Sequence, residues 1–247
     1  MNQQLQTLRG DVAARLQDVL VEGGDVEGFI HALARYAASA LSRADRAVDC
    51  GVHISRRRKA PASAASSGEA LDMEDLQSRT GDGPRLAALG DSTTVDIPDS
   101  EREERWPLYV QAAVDRGFRS VLVVPLALED QARGALTFHS PFPSAFGSDG
   151  VASFEVFAGE ASKSLRLALK IARLQDARED LSAALDSRTV IGLAAGVIMA
   201  QNRCSQEDAF RILREASNAR HMKLRDVAAA VIAPMAGGTY FRAHFDE

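Results

Sequence analysis

The chain has 247 residues, of which 46% are hydrophobic and 26% charged, and its net charge at pH 7 is −5. This composition is typical of a soluble globular protein with a core of its own, and the net charge gives no overall electrostatic reason to expect nucleic acid. The N-terminus lacks the layout of a signal peptide, and no uninterrupted apolar run approaches the roughly 20 residues that span a bilayer. The only two cysteines, Cys50 and Cys204, have no metal-ligand spacing, so we expect free thiols in a cytoplasmic protein without a membrane segment.

Two apolar stripes at helical spacing open the chain, one through Val12, Leu16 and Val19 and the other from Phe29 to Leu41. Alternation in AVDCGVHISRRR then predicts a strand, and KAPASAASSGEA suits a loop or an irregular edge strand. The stretch DMEDLQSRTGDGPRLAALGDS indicates a short helix, a glycine-proline turn and another helix.

The second half of this region supplies the rest of a sheet. A short strand in STTVDIPDS and an amphipathic helix in REERWPLYVQAAVDRGF come first, and Gly117 is a left-handed terminator for that helix. The strands SVLVVPLALE and ARGALTFHS follow, joined by a turn around Asp130, and a long helix begins near Gly150. A hairpin among segregated helices predicts an α+β fold with an antiparallel sheet flanked by helices.

The stretch from Gly81 to Ser140 resembles a GAF domain through its GDGP turn, its tryptophan-containing helix and the segments GFRSVLVVPL and GALTFHS. The resemblance covers roughly residues 10–170, and it implies a small-molecule ligand held between the sheet and its covering helices. Whether a ligand or side chains fill that space stays open. The candidate lining positions on the predicted strands are Cys50, Val52, Val123 and Phe138.

Leucines at seven-residue spacing mark the long helix. Leu167, Leu174 and Leu181 form the repeat, and Ile171 and Leu185 lie four residues after its first and third members. This stripe predicts a short coiled coil that pairs two chains as a homodimer. The alternative is that the stripe packs against its own domain.

Three short helices are predicted after this stripe. Ser187 or Asp186 is expected to cap the first, in which Gly192 and Gly196 would let another helix approach closely. Ser205 and Asp208 resemble a capping box for the second helix. The third helix, from Leu224 to Ile232, ends before Pro234.

The segments RTVIGLAAGVIM, EDAFRILREAS and KLRDVAAAVI, in this order over roughly residues 182–235, resemble an ANTAR domain. The resemblance implies a three-helix RNA-binding module of bacterial transcription antitermination regulators. Many members of that family carry Gln and Lys where this chain has Leu193 and Ala195. The first helix therefore lacks an amide and a basic contact that RNA would otherwise meet.

Residues 188–233 hold seven basic and four acidic side chains, a net charge of +3 that leaves −8 for the remainder. Such an asymmetry indicates a segment that meets a polyanion. RNA binding requires cations to contact phosphates and hydrogen-bonding groups to contact loop bases. Arg214, Ser217 and His221 would share one face if the second helix continues through all three residues. The alternative is a solvated surface with pairs such as Arg211 to Glu215. The candidate RNA-binding residues are Arg188, Arg203, Arg211, Arg214, Ser217, Asn218, Arg220, His221, Lys223 and Arg225.

We expect a GAF-like sensor domain over 1–166, a linker helix over 167–187, an ANTAR-like module over 188–235 and a tail over 236–247. The predicted function is a signal-responsive transcription antitermination regulator whose dimer binds tandem RNA hairpins. Two alternatives remain, a DNA-binding helix-turn-helix regulator and a ligand-sensing protein that binds a partner without nucleic acid. No catalytic set, cofactor motif or metal-spaced histidine pair is readable, so we expect neither an enzyme nor a cofactor nor a metal.

Overall fold

The computed structural model describes residues 2–22, 24–44, 46–129 and 132–235, so the predicted tail and the turn at Asp130 lie outside the described residues. The helices are α1 (Asn2–Glu22), α2 (Val26–Leu41), α3 (Gly68–Thr80), α4 (Pro84–Asp91), α5 (Pro107–Asp115), α6 (Ser148–Asn202), α7 (Gln206–Arg220) and α8 (Leu224–Ile232). The strands are β1 (Asp49–Arg56), β2 (Lys59–Ala65), β3 (Val95–Ile97), β4 (Ser120–Leu126) and β5 (Arg133–Ser140).

The strands form one antiparallel sheet in the order β2-β1-β5-β4-β3. The central strand β5 is buried from Gly134 to Ser140, as expected for a strand with neighbours on both sides. β2 lies at the edge and contains Pro61, whose missing N–H an edge strand tolerates. The predicted antiparallel α+β architecture is confirmed.

The two faces of this sheet bury different cores, because successive strand residues point to opposite sides. On the side that we call the α2 face, Cys50, Val52 and Phe138 pack with residues of α1, α2 and α6. The Phe138 and Phe154 ring centroids lie 4.7 Å apart there. On the other side, the α5 face, Trp106 and Val123 pack with residues of α3, α4 and α5. The α5 face is the one that contains the polar interior described below.

α6 is a single helix of 55 residues, and this differs from the predicted break at residues 186 and 187. Neither Asp186 nor Ser187 acts as a cap, because the helix continues through both. The Thr189 hydroxyl donates to the carbonyl oxygen of Leu185 at 3.1 Å, a bond that requires an uninterrupted helical turn. The sequence between Gly159 and Gly192 contains no glycine or proline that would end the helix.

By length and composition alone, α6 is also able to cross a membrane, and it is the one such helix among the described residues. Its Gly150–Asn202 stretch includes an 18-residue window of mean hydropathy 1.4, of which 17% is buried. This corrects the expectation that no segment of the chain would qualify. One helix of this kind is weak evidence for a membrane span, since core helices of soluble proteins meet the same criteria.

The chain divides into two compact units, Met1–Ala172 and Arg173–Glu247. In the second unit, Ala194, Ala195 and Ile198 of α6 form a small core with Leu213 of α7 and Val227 of α8. Alanines at these contacts let the helices approach closely, which compensates for the small number of buried side chains. We call this arrangement of the end of α6 with α7 and α8 the C-terminal module.

The two glycines of the C-terminal module lie away from this core. Gly192 and Gly196 are exposed, and together with Leu193 and Val197 they line an open groove on α6. Apart from the adjacent residues and the nearby backbone of α6 itself, no atom of the described residues lies within 4 Å of a Cβ added at either glycine. The close approach predicted at these glycines therefore does not involve α7 or α8, which pack on the alanine side of α6 instead.

Candidate nucleic-acid interface and sensor interior

Helix α7 presents one buried side to the C-terminal module and one charged side to solvent. The Ser205 hydroxyl caps the helix by accepting from the Asp208 backbone N–H at 3.2 Å, which confirms the predicted cap. Ala209 and Leu213 are 0% and 1% exposed, and they anchor the buried side. The opposite side carries Arg211 and Arg214, both exposed.

The structure leaves nearly all of the predicted RNA-binding residues exposed. Ser217 is the half-buried member, and its hydroxyl donates to the Met222 carbonyl oxygen at 2.6 Å. That bond helps to close the turn between α7 and α8, so this hydroxyl already has a structural role. The exposed members of the set are Arg188, Arg203, Arg211, Arg214, Asn218, Arg220, His221, Lys223 and Arg225.

The predicted face of Arg214, Ser217 and His221 does not form, because α7 ends at Arg220. His221 has left-handed backbone angles, with φ at 52°, and its N–H donates to the carbonyls of Ser217 and Asn218. The Met222 N–H also donates to the Ser217 carbonyl at 3.1 Å. The result is a tightly hydrogen-bonded turn that separates the last residue of α7 from Lys223, the residue that precedes α8.

The exposed arginines differ in their ion pairs. Arg211 lies 2.6 Å from a carboxylate oxygen of Asp208 and 3.7 Å from one of Glu215. The hydrogen bond from Arg211 lowers the pKa of Asp208, and the same bond raises the pKa of Arg211. Within the described part of the chain, no carboxylate pairs with the four cations around the α7–α8 turn. These unpaired cations, which we call the turn cations, are Arg214, Arg220, Lys223 and Arg225.

The structure does not bring all ten predicted RNA-binding residues together. Arg203 lies in the turn before α7, whereas Arg220 is the last residue of that helix. Since α7 has 15 residues, its length of about 22 Å separates the two arginines. Arg203 is therefore separated from Arg220 and Lys223 by about the length of α7.

Three further residues of the module, Ala195, Leu193 and Phe210, differ in their exposure to solvent. Ala195 is 2% exposed in the module core, so a side chain at this position faces α7 and α8. Leu193 is 55% exposed and presents an apolar surface. Phe210 is half-buried and packs against the module core, which leaves it poorly placed for stacking on a base.

The predicted dimer stripe is an exposed apolar row on α6. The exposure of apolar surface to water is unfavourable, and packing against a partner helix would bury this surface. The exposed fractions are 48% for Leu167, 40% for Ile171, 64% for Leu174, 63% for Leu181 and 56% for Leu185.

The four residues predicted to line a ligand pocket do not line one site. Cys50, Val52 and Phe138 belong to the core of the α2 face, whereas Val123 belongs to the core of the α5 face. The alternation along each strand places them on opposite sides of the sheet. Burial raises the pKa of the Cys50 thiol well above its usual value, and neighbouring carboxylates add to the effect. This thiol is therefore protonated and packed in a core.

A set of polar residues that the sequence analysis missed lies inside the α5 face. Arg85 and Glu74 form an ion pair there, with side chains that are 2% and 0% exposed. The Arg85 guanidinium also donates to the Ser78 hydroxyl at 3.0 Å, and the Arg85 backbone N–H donates to the Gln77 amide oxygen at 2.8 Å. Gly51 makes room for this pair, because a Cβ at Gly51 would lie 2.6 Å from an oxygen of Glu74.

A buried tyrosine-histidine contact continues the polar interior along β5. The Tyr109 hydroxyl lies 3.0 Å from Nε2 of His139. Burial raises the pKa of Tyr109 well above its usual value and lowers the pKa of His139 to about 4, so both groups are neutral at pH 7. Thr137 lies two residues before His139, on the same face of β5, and pairs with Gly51 of β1. We call the set Glu74, Gln77, Arg85, Tyr109, Thr137 and His139 the polar cluster.

Five atoms of the polar cluster are buried without a hydrogen-bond partner. A buried polar atom left unpaired costs about 1–3 kcal/mol, and native proteins contain few of them. A signal for the cluster was present in the sequence, since Glu74 and Gln77 occupy the buried stripe of α3 together with Ala70 and Met73. The unpaired atoms are Oε1 of Glu74, Nε2 of Gln77, Nε of Arg85, Oγ1 of Thr137 and Nδ1 of His139.

Family models match two parts of the chain. The GAF domain model matches residues 25–165, and the ANTAR domain model matches residues 179–232. No curated protein matches the chain. Among the described residues, no group of three or more His, Cys, Asp or Glu side chains is placed to hold a metal ion.

Several solved structures resemble about two thirds of the chain. The N-acylhomoserine lactone dependent LuxR family transcription factor CepR2 from Burkholderia cenocepacia is 17% identical, with a TM-score of 0.49 over 65% of this chain and 98% of that one. The GAF domain of an Acinetobacter phosphoenolpyruvate-protein phosphotransferase is 13% identical, with a TM-score of 0.46 over 67% and 97%. The phycoerythrobilin-bound GAF domain of a cyanobacterial phytochrome is 13% identical, with a TM-score of 0.47 over 66% and 97%.

Proposed function

The chain belongs to the GAF domain family and carries an ANTAR domain after it, and from this pairing we propose that it is a signal-responsive transcription antitermination regulator. Both domains are regulatory rather than catalytic. In this proposal a small molecule in the GAF domain is the signal, and RNA hairpin loops bound by the C-terminal module are the output. The protein acts in the cytoplasm, where nascent transcripts are found.

The observation that carries the proposal is the group of turn cations. Arg214, Arg220, Lys223 and Arg225 flank one closed turn, are exposed and have no carboxylate partner among the described residues. Unpaired cations attract phosphates and release their counterions on binding, and Asn218 adds an amide that is able to read a base edge. The hydrogen bonds of the turn fix the backbone between Arg220 and Lys223, which reduces the backbone entropy lost on binding.

The dimer part of the proposal rests on the exposed row of α6. Paired with a second copy, the row from Leu167 to Leu185 would be buried as a short parallel coiled coil. Arg178 falls midway between Ile171 and Leu185 at the seven-residue spacing and is exposed. A charged residue inside such a row weakens pairing but selects one register, which is useful for a short interface.

A dimer explains why the RNA target would contain two hairpins. Two C-terminal modules in one dimer present two sets of turn cations. Once the first hairpin is bound, the second meets its module at an effective concentration in the millimolar range, provided that the RNA linker spans the two sites. Tandem hairpins are therefore bound more tightly than either hairpin alone.

The two alternative functions have less support from the described residues. A DNA-reading helix would present base-contacting side chains in its first turns, but the first turn of α7 carries Glu207 and Asp208, which repel phosphates. A protein partner in place of RNA is favoured by the open apolar groove at Leu193 and Gly196. That alternative leaves the turn cations without a role.

The test is a competition at fixed salt concentration. Labelled two-hairpin RNA is bound to the full chain and challenged with unlabelled RNA whose loops are scrambled, and separately with duplex DNA. The proposal expects the matched RNA to compete at least about tenfold better than either challenger. Equal competition by duplex DNA would support the helix-turn-helix alternative, and no binding of any nucleic acid would support the partner-binding alternative.

A further inference from the structure

The hairpin that joins β1 to β2 carries four consecutive basic residues. Arg57 and Arg58 form its turn, and Arg56 and Lys59 pair with each other across the two strands. We call these four residues the basic hairpin. Arg57, Arg58 and Lys59 are exposed, and Arg133, which is also exposed, lies at the same end of the neighbouring strand β5. This end of the sheet is therefore strongly positive, although the chain as a whole is negative.

The basic hairpin is unfavourable for the chain by itself in two ways. Arg56 and Lys59 are directly opposite each other, and like charges in such positions destabilise a strand pair. Arg58 has φ at 62°, in the left-handed region that favours glycine and asparagine over arginine. Residues 50–68 contain neither Asp nor Glu, and no described carboxylate pairs with Arg56, Arg57 or Arg58. Local strain of this kind is typical of functional segments.

Protection of the sheet edge does not account for the basic hairpin. β2 is an edge strand, and charged or proline residues along an edge prevent it from pairing with another chain. Pro61 already interrupts the row of N–H donors in β2, and the strand after Lys59 contains no further charge. The cations are instead concentrated at the turn, where there is no strand edge to protect.

The chemistry of the basic hairpin favours a phosphate polyanion. Three of its four residues are arginines, whose planar guanidinium donates two parallel hydrogen bonds to a phosphate. Segments that bind a membrane surface bury apolar side chains next to their cations, but residues 55–63 contain no aromatic or large aliphatic side chain. A flexible chain of phosphates therefore fits this hairpin better than a lipid surface does.

We propose that the basic hairpin binds the phosphate backbone of unpaired RNA that flanks the hairpin loops. Its arginines neutralise phosphates and release counterions, so the contact adds affinity without reading bases. Phosphates placed beside Arg56 and Lys59 also offset the repulsion between them. The inference rests on the proposed function only in its choice of RNA as the polyanion, because the basic hairpin and the turn cations belong to different compact units.

The test measures binding of the full chain to labelled oligouridine by fluorescence anisotropy over a range of salt concentrations. The variant Arg57→Gln with Arg58→Gly removes two cations and places glycine at the left-handed position. This variant is expected to have a higher Tm than the unmodified chain and yet to bind RNA more weakly. The slope of the logarithm of affinity against the logarithm of salt concentration should become shallower by about 1.4, since each contact with a single strand contributes about 0.7.

Arg102→Ala is the matched control at the opposite edge of the sheet. Arg102 follows β3, is exposed and lies 3.5 Å from a carboxylate oxygen of Asp99, so its loss should leave the slope unchanged. Arg58→Gly alone should make the slope shallower by about 0.7. The inference is wrong if the unmodified chain does not bind oligouridine, or if the Arg58 and Arg102 variants have equal slopes.

Two further measurements identify the partner and separate this inference from the proposed function. If the double variant of the basic hairpin loses binding to phosphatidylserine vesicles while its RNA slope is unchanged, the partner is a lipid surface and the inference is wrong. Arg214→Ala with Lys223→Ala is measured on two-hairpin RNA. If only this variant weakens RNA binding, the inference fails and the proposed function stands; if only the basic-hairpin variant does, the inference stands and the proposed function fails.

Discussion

Replacing Arg214 and Lys223 together by alanine should weaken RNA binding by an amount that depends on salt. The two residues are half of the turn cations, and neither makes an ion pair with a described carboxylate. Lys223 precedes α8 without capping it through its side chain, so its loss should not disturb that helix. The substitution therefore removes charge from the surface and leaves the fold intact.

The expected size follows from counterion release. If the four turn cations each neutralise one phosphate of a single-stranded loop, the logarithm of affinity falls with the logarithm of salt concentration with a slope of about −2.8. Removing two contacts halves that slope to about −1.4. If the two affinities are equal at 1 M salt, the loss is about 65-fold in affinity at 50 mM salt but only about 14-fold at 150 mM. A change this large exceeds the usual error of a binding titration.

The assay is fluorescence anisotropy of a one-hairpin RNA at four salt concentrations, so that a single C-terminal module is measured. The assay also compares two single variants, Arg214→Ala and its matched control Arg211→Ala. Both arginines are exposed on α7, and each substitution removes one positive charge. Arg211 already pairs with Asp208 and Glu215, and its loss should leave the slope nearly unchanged. Equal slopes for the Arg211 and Arg214 variants would refute the assignment of the turn cations.

Three further predictions test the remaining parts of the structure. Leu174→Glu with Leu181→Glu should convert a dimer into a monomer in analytical ultracentrifugation, because it places charge in the exposed row of α6. Ala183→Glu lies off that row and should leave the dimer intact. If both variants are dimers, the coiled coil is contradicted. Glu74→Gln leaves the Arg85 guanidinium buried without a counter-charge, so it should lower the free energy of unfolding by about 3–5 kcal/mol in urea titrations. A double variant with Glu74→Leu and Arg85→Met replaces the ion pair by apolar side chains and should largely recover this loss. The pKa of His139 is lowered by burial to about 4 from 6.5, so the folded protein binds this proton less readily than the unfolded chain, and stability should fall as pH drops from 6.5 to 4. His139→Gln should reduce that slope by up to about 1.4 kcal/mol per pH unit, and an unchanged slope would contradict the buried neutral imidazole.

The sheet and the C-terminal helices were predictable because their local signals agree with their tertiary surroundings. β4 contains the continuous apolar run VLVVPL, and such a run is typical of a central strand. Ser205 and Asp208 predicted the start of α7 correctly, since a cap depends only on neighbouring residues. Gly117, with φ at 80°, follows the C-cap of α5 as predicted, because a left-handed residue after a helix also depends on the local sequence.

The errors arose where a local pattern allowed two outcomes. Ser187 is able to cap a helix, but nothing before it stops α6, and a helix that is already formed extends at little cost. His221 could have continued α7, but the hydroxyl of Ser217 closes a turn onto Met222 instead. Neither outcome is readable from the cap or the spacing alone.

The sensor interior could not be predicted because it depends on which side of the sheet each residue faces. Cys50 and Val123 both lie on apolar strands, yet strand register places them on opposite faces. The ion pair of Glu74 with Arg85 joins α3 to α4 across the turn at Gly83. Charged residues on a short helix are normally expected in solvent, and only the absence of a side chain at Gly51 gives Glu74 room inside.

The most direct measurement is a crosslinking map of the complex between the full chain and a two-hairpin RNA. Ultraviolet irradiation followed by peptide mass spectrometry identifies which residues contact the loops. We expect crosslinked peptides from residues 214–225, where the turn cations and Asn218 lie, and we expect crosslinking to decrease as salt is raised. Crosslinks confined to residues 25–165 would show that the C-terminal module does not hold the RNA, and crosslinks that are equally strong with scrambled loops would show that it does not recognise the loops.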